Sequence, residues 1–313
     1  ANQARMIFAE GDDPKVLRAA VMYQRSGLGK ALVVGRADDV KAKLTAAGME
    51  DAYRELEVVN AANTQHLETY KSFLYNRLQR KGSDSKDIHR LAARDRHVFA
   101  ALMLAHGHGD GLVTGATRKS AHVLERLNHV FDANAKHGAV GITALLHKGR
   151  IVFIGDTLVH EWPNEEDLAN IAEKGAKVAR HMGLEPRVAF VSFSTFGYPV
   201  SERAEKMQRA PDVLDARGVD FEYEGEMTVD VALNAESQKN YPFSRLTGPA
   251  NILVVPARHS ASISVKLMQE MAGATVIGPI LTGLDKSIQI CSTTSTANDI
   301  LNMAILAACK VGE

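Results

Sequence analysis

The sequence predicts an α/β fold built on a largely parallel sheet. Short runs dominated by β-branched and apolar residues recur along the chain. Longer segments with apolar residues at helical spacing lie between them, and cap residues or glycines mark several junctions. Strands separated by helices are joined by crossovers, which lay strands side by side in parallel.

In chain order, residues 6–9 and 31–34 read as the first two strands. Residues 70–81 form a helical pattern with Arg77, Arg80 and Lys81 on or near one face. Such a face is usually solvated, though in a cleft it could meet anions. His106 and His108 read as histidines near the negative end of a helix dipole; a metal there would need a third ligand that the sequence does not name. Residues 111–114 and 150–154 are further strands. Trp162-Pro163 reads as an entry anchor for the helix at 165–182, whose apolar face carries Leu168, Ile171, Val178 and Met182. Asn164, with Asp167 three residues on, supplies its N-cap. Strand 187–192 contains Val188-Ala189-Phe190-Val191, strand 251–255 contains Ile252-Leu253-Val254-Val255, and such continuous apolar runs suit strands covered on both faces. A helix around 200–215 follows the first of these, and Arg258-His259 follows the second as a candidate contact for an anion. Met271-Ala272-Gly273 ends a helix on glycine before strand 274–277, and residues 300–308 form the terminal helix.

Length and composition narrow the function. At 313 residues the chain suits about two domains. Hydrophobic residues at 45% and charged residues at 24% exclude disorder and a disulfide scaffold. Lys+Arg and Asp+Glu are equal at 37 each, which disfavours bulk binding to nucleic acid or an anionic membrane and leaves room only for a local basic pocket. No apolar run approaches the roughly 20 residues that span a bilayer. Cys291 and Cys309, the only cysteines, fit a reducing, cytoplasmic setting and make no cysteine metal site. A start at Ala1 suggests a piece excised from a longer protein. The best seams are the 135–141 region and the Gly278-Pro279 turn. Cutting at both gives a discontinuous first α/β domain, 1–136 plus 279–313, and a second, 137–278.

Three segments are candidate sites. Ser192-Phe193-Ser194-Thr195-Phe196-Gly197 follows a strand and leads to a helix, so its hydroxyls and free N–H groups suit phosphate oxygens, or it is a polar turn with a hydroxyl cap. Gly109 to Arg118 encloses a strand between glycine turns; Thr114 and Gly115 end it, and Arg118 could pair with a phosphate or carboxylate or lie free on the surface. It has neither Walker nor dinucleotide spacing. Ser292 to Asp299 is hydroxyl-rich, and Thr296 with Asp299 has capping-box spacing, so Asp299 reads as a cap or as a catalytic acid.

These segments also carry a family resemblance. Phe8-Ala9-Glu10-Gly11 with Val16-Leu17-Arg18-Ala19-Ala20, His108-Gly109-Asp110-Gly111-Leu112-Val113-Thr114-Gly115, Ser192-Phe193-Ser194-Thr195, Pro279-Ile280-Leu281-Thr282-Gly283-Leu284 and Asp299-Ile300 occur in that order. Together they resemble the phosphate acetyl/butyryltransferase family over almost the whole chain. The resemblance implies a two-domain, three-layer αβα phosphotransacetylase-like (isocitrate/isopropylmalate dehydrogenase-like) fold with an interdomain cleft, normally a homodimer. The departures matter. Active transacetylases continue the serine loop with Lys-Gly-Ser, where this chain has Phe196-Gly197-Tyr198. The family's catalytic Ser-Arg pair and following aspartate fall on Ser292, Thr293 and Asp299, so a threonine replaces the arginine. A further family arginine falls near Glu125 or Arg126.

Phe196-Gly197 after the serine loop and Thr117-Arg118 after Thr-Gly resemble the C-terminal phosphotransacetylase-like domain of bacterial hybrid malic enzymes. That resemblance implies a regulatory and oligomerisation domain. Its parent would convert malate and NADP to pyruvate, CO2 and NADPH in an N-terminal part absent from this sequence. NADP and a divalent metal would belong to that part, with no cofactor or metal in this segment. Acetyl-CoA would act here as allosteric inhibitor, held by Thr114, Gly115, Arg118, Ser192, Ser194, Thr195 and Ser292, none of them catalytic. The partners implied are the malic N-terminal domains and a homodimer or higher homo-oligomer. The alternatives are a working phosphate acetyltransferase, moving acetyl between acetyl phosphate and CoA with Asp299 aiding thiolate formation, and a structural dimer module with a vestigial cleft.

Overall fold

The computed structural model describes residues 3–132 and 138–311 and divides them into two compact units, 3–132 with 284–311 and 138–283. Part of the 135–141 seam, including the 136/137 cut, lies outside the described residues. The first unit begins with β1 (Ala4–Phe8), α1 (Pro14–Arg25), β2 (Gly29–Val34), α2 (Ala37–Ala46), β3 (Glu57–Val59) and α3 (Leu67–Leu78). It continues with α4 (Ser85–Arg94), α5 (Arg96–Ala105), β4 (Gly111–Thr114) and α6 (Ser120–Leu127). The second unit holds β5 (Val140–His147), β6 (Arg150–Gly155), α7 (Glu165–His181), β7 (Arg187–Val191), α8 (Glu202–Arg217) and β8 (Glu222–Met227). It ends with α9 (Val229–Leu233), α10 (Ala235–Gln238), β9 (Ile252–Val254), α11 (Arg258–Ala272) and β10 (Thr275–Thr282). The chain then returns to the first unit with β11 (Ser287–Ile290) and α12 (Ala297–Ala308).

The first sheet runs β11-β4-β1-β2-β3, and every pair in it is parallel. Its core is made locally. Asp13 caps α1 by accepting from the N–H groups of Lys15 and Val16, with Pro14 in the first turn. The helix thereby turns Val16, Leu17, Ala20 and Tyr23 onto Met6, Phe8 and Val33. The returning α12 completes this core with Ile300, Met303, Ala304 and Ala307. Burying one such large side chain stabilises the unit by about 1.5–3 kcal/mol, so the terminal segment is an integral part of it.

The second sheet runs β10-β5-β6-β9-β7-β8. Its β6-β9-β7-β8 part is parallel, whereas β10-β5-β6 is antiparallel, so this sheet is mixed. Asn164 and Asp167 form a reciprocal capping box that starts α7, and Gly273 in the left-handed conformation ends α11. Gly278-Pro279 lies inside β10, where the ladder with β5 shifts register between Ile277 and Ile280. Pro279 has no N–H to give the ladder. The strand nevertheless resumes to Thr282, and the crossing back to the first unit comes at Leu284.

Four strands lie outside the sequence reading: β3, β5, β8 and β11. β8 reads Glu-Tyr-Glu-Gly-Glu-Met, and its acidic residues mask a strand whose Glu224 and Glu226 are buried. β11 is fully buried although Ser287 and Gln289 alternate with isoleucines, and the Ser287 hydroxyl donates to the Ala307 carbonyl at 2.8 Å.

Candidate functional site

In the first unit, β4 and β11 are parallel neighbours, with Ile290 opposite Thr114. The Cys291 N–H donates to the Thr114 carbonyl at 2.7 Å, so Thr114-Gly115 and Cys291-Ser292 leave the sheet side by side. Glu10, at the end of β1 and 1% exposed, organises the loop that follows. Its carboxylate accepts from the N–H groups of Gly115 (2.9 Å), Ala116 (3.1 Å) and Thr117 (2.9 Å) and from the Thr117 hydroxyl (2.7 Å). Those N–H groups are therefore already engaged. Gly115, at φ +101°, is needed for close packing, since a Cβ would come 2.7 Å from the Cys291 carbonyl oxygen. The Thr114 hydroxyl faces inward, 2.7 Å from Nδ1 of buried His97. Burial holds the His97 pKa below its ordinary value, against the opposing pull of Glu10 and Asp95. Burial likewise pushes the Cys291 thiol up, with the charge of Glu10 adding to it, which disfavours the thiolate.

Beyond β11 the chain makes a hydroxyl-lined turn. Ser292 N–H donates to Ser295 Oγ at 3.0 Å, and Ser292 Oγ lies 2.9 Å from Thr294 Oγ1. Thr293 is exposed, and its carbonyl accepts from the Lys15 ammonium at 3.1 Å. Asp299 closes a capping box with Thr296, accepting from its N–H and hydroxyl at 2.8 Å each. Its carboxylate is used as a helix cap. Arg118 is exposed and donates to the Thr117 carbonyl at 3.2 Å. Arg126 is tied to Asp95 at 3.3 Å, while Glu125 is exposed on the same helix.

In the second unit, the loop after β7 brings Ser192, Ser194 and Thr195 together. Ser194 is fully buried, with its hydroxyl 3.5 Å from that of Ser192. Thr195 Oγ1 accepts from the Thr228 N–H at 3.1 Å, and the Thr195 N–H donates to the Tyr198 carbonyl at 2.9 Å. A second buried glutamate plays the part of Glu10. Glu226 Oε1 accepts from the Gly197 N–H at 3.0 Å and from Gln208 at 3.3 Å. Phe196 turns into an aromatic group, its ring 5.2 Å from Tyr241 and 4.8 Å from Phe243. Nearby, the Lys206 ammonium donates to the carbonyls of Pro163 and Pro256 at 3.0 Å each and lies 5.9 Å from the Trp162 ring. Burial lowers its pKa.

Glu10, Glu226 and Lys206 have no role in the sequence reading. The only signal for the glutamates is an acid directly after, or within, a buried strand. Arg77 is engaged with Asp132 and the His129 carbonyl, while Arg80 and Lys81 are exposed. Arg258 starts α11 and donates to the Leu158 carbonyl at 3.2 Å. His106 and His108 sit in an aromatic cluster, where the Tyr70 hydroxyl is 2.6 Å from His108 Nδ1 and burial pushes the phenol up to about 12. Among the described residues no three His, Cys, Asp or Glu side chains gather around a metal position.

A model of the phosphate acetyl/butaryl transferase family matches residues 1–308. The chain is 46% identical over 308 residues to the C-terminal portion of an NADP-dependent malic enzyme from Rhizobium meliloti (strain 1021), covering 98% of this chain and 40% of that protein. It thus spans about two fifths of the length of that relative. It is 27% identical over 317 residues to a phosphate acetyltransferase from Thermoanaerobacterium thermosaccharolyticum, covering 98% of this chain and 95% of that one. A solved phosphotransacetylase from Streptococcus pyogenes superposes with a TM-score of 0.90 at 25% identity, covering 99% of this chain and 94% of that chain. With a family model over nearly its full length and a fold shared with a solved phosphotransacetylase, the chain belongs to the phosphate acetyl/butaryl transferase family.

Proposed function

We propose that the chain is the regulatory and assembly domain of a hybrid malic enzyme, binding acetyl-CoA as an allosteric inhibitor without transferring its acetyl group. On this reading the parent protein is cytoplasmic and oxidises malate to pyruvate and CO2, with NADP and a divalent metal, in a part other than this one. Nucleic acid and membrane have no place in the reading. Among the described residues no helix is long and apolar enough to cross a membrane. The fold belongs with isocitrate and isopropylmalate dehydrogenases. On this reading the acetyl-CoA contacts of the first unit centre on the loops carrying Thr114, Gly115, Arg118 and Ser292, where Arg118 is exposed and Ser292 half-buried. The loop of Ser192, Ser194 and Thr195 in the second unit is a separate hydroxyl-rich candidate.

The observation that carries the reading is Thr293, an exposed hydroxyl where active relatives are expected to hold an arginine. A guanidinium at that place would stabilise charge developing on the acyl phosphate, which a hydroxyl does not. Losing one such contact costs about 2.7–4 kcal/mol, or roughly 10²–10³ in rate. Phe196, locked among Tyr241 and Phe243, removes a second cation from the serine loop. What is left is hydroxyl-lined recognition. For inhibition, acetyl-CoA must favour the inactive arrangement, and a coupling of about 1–3 kcal/mol is ordinary.

The proposed assembly is a homodimer through α11. Only Ala261 of this helix is buried, and Ile263, Leu267 and Met271 form an exposed stripe at four-residue spacing. A second copy packed antiparallel about a two-fold axis would set Ile263 against Met271, Leu267 against itself and Lys266 against Glu270. That pattern is self-complementary in shape and charge, as an isologous interface requires.

A second reading, a working phosphate acetyltransferase, draws on Lys15. Its ammonium, 3.1 Å from the Thr293 carbonyl oxygen, brings a positive charge to the same turn. A thioester assay with acetyl phosphate and CoA separates the two. The regulatory reading expects turnover at least a hundred-fold below an ordinary rate of about 10 per second. Turnover near that ordinary rate, abolished in Lys15→Ala, would overturn it.

A further inference from the structure

The second unit contains a cavity remote from its serine loop. It lies where the C-terminal halves of α7 and α8 meet the chain entering β8, at the amino ends of the strands. Its volume is about 520 Å³, and its walls carry Lys174, Lys177, Arg180, Arg217, Glu173 and Asp220. Four cations face two acids there, and both acids are committed. The Arg180 guanidinium donates to Asp220 at 2.9 and 3.1 Å. The Arg217 guanidinium donates to Glu173 at 3.0 Å and to Asn170 at 2.8 Å, and also pairs with Glu166 outside the cavity wall.

Among the described residues the lysines make no comparable pair. Lys174 and Lys177 stand three residues apart on α7, hence on one face of the helix. Among the described residues neither ammonium has a hydrogen bond or an ion pair. Lys174 is half-buried, and burial together with the charge of Lys177 lowers its pKa against the smaller opposing effect of Glu173, which is itself paired with Arg217. Two unpaired like charges, one of them partly out of water, disfavour each other unless an anion joins them. A carboxylate could bridge both ammoniums through its two oxygens, but with only one negative charge it would not balance two cations. A phosphoryl group offers several oxygens to point-charge donors, and the cavity is larger than one phosphate needs.

We propose that this cavity binds a pyrophosphoryl group, inorganic or carried by a nucleotide, with Lys174 and Lys177 holding its oxygens and the paired Arg180 and Arg217 framing it. The proposal is independent of the acetyl-CoA reading.

Calorimetry on the full 313-residue chain tests it with inorganic pyrophosphate, ADP and acetyl-CoA in separate titrations. Pyrophosphate is expected to bind saturably, and more weakly at raised salt. Lys174→Gln/Lys177→Gln should weaken that binding at least about ten-fold while leaving acetyl-CoA binding or its absence as in the unmodified chain. The double variant should melt no lower than the unmodified chain, because like-charge repulsion is relieved. Pyrophosphate should raise the melting temperature of the unmodified chain alone. ADP binding tighter than pyrophosphate would support the site with a nucleotide as its ligand, and equal or weaker ADP binding would support it with the inorganic ion. No binding at millimolar pyrophosphate, or equal affinity in the double variant, would overturn the proposal. So would a parallel loss of acetyl-CoA affinity, which would make the cavity part of the acyl-CoA site.

Discussion

Glu10 carries more of the first unit's loop geometry than any hydroxyl the sequence draws attention to. One buried carboxylate satisfies three consecutive backbone N–H groups and a hydroxyl. Glu10→Ala strands those donors, and each buried donor left unmade costs about 1–3 kcal/mol. We expect a loss of about 3 kcal/mol or more in urea unfolding, and a loss under 1 kcal/mol would contradict the role given to it. His160 makes a pH-dependent contribution. Its hydrogen bond to Asp156 raises its pKa above the ordinary value against the effect of burial, with the charges of Asp156 and Asp167 adding to the rise. The resulting stability is full below about pH 6.5, the unfolded value, and is lost as pH rises through the folded pKa. The melting-temperature gap between the unmodified chain and His160→Gln should therefore narrow from pH 6 towards pH 8, and a gap that widens would reverse the sign. At this scale the sequence was only half legible. The capping boxes Asn164/Asp167 and Thr296/Asp299 follow from spacing, because their partners are three residues apart. Glu10 bonds atoms 105 to 107 positions away, and no local pattern records that.

At the scale of elements, periodicity revealed what is apolar and hid what is buried and polar. β7 and β9 are plain as continuous apolar runs. β8 escapes because its glutamates look solvated, yet Glu224 receives the N–H groups of Gly225 and Arg245 and Glu226 that of Gly197. β11 escapes because it is four residues long with alternating polar side chains. The junction of β4 and β11 gives a sharp test. Gly115→Ala would force an L-residue to φ +101° and press its Cβ to 2.7 Å from the Cys291 carbonyl oxygen. A loss of about 1–3 kcal/mol is expected in chemical unfolding, with weaker acetyl-CoA binding because Ser292 moves with Cys291. An unchanged unfolding midpoint would mean that the two strands tolerate separation there.

For the whole molecule, the equality of Lys+Arg and Asp+Glu, 37 each, conceals local surplus such as the Lys174/Lys177 pair. The seams at 135–141 and Gly278-Pro279 suggest that the C-terminal segment rejoins the first unit, and the family resemblance fits that division; the crossing itself comes at Leu284. Assembly belongs to this scale. Sedimentation should give a dimer that Leu267→Glu converts to a monomer with an unchanged circular dichroism spectrum, whereas a dimer that survives the charge would place the interface elsewhere. The division between recognition and chemistry is decided by titrating acetyl-CoA into the chain in a calorimeter. Saturable heat, with the thioester recovered intact, is the predicted result; no heat at millimolar acetyl-CoA would contradict a sensing role.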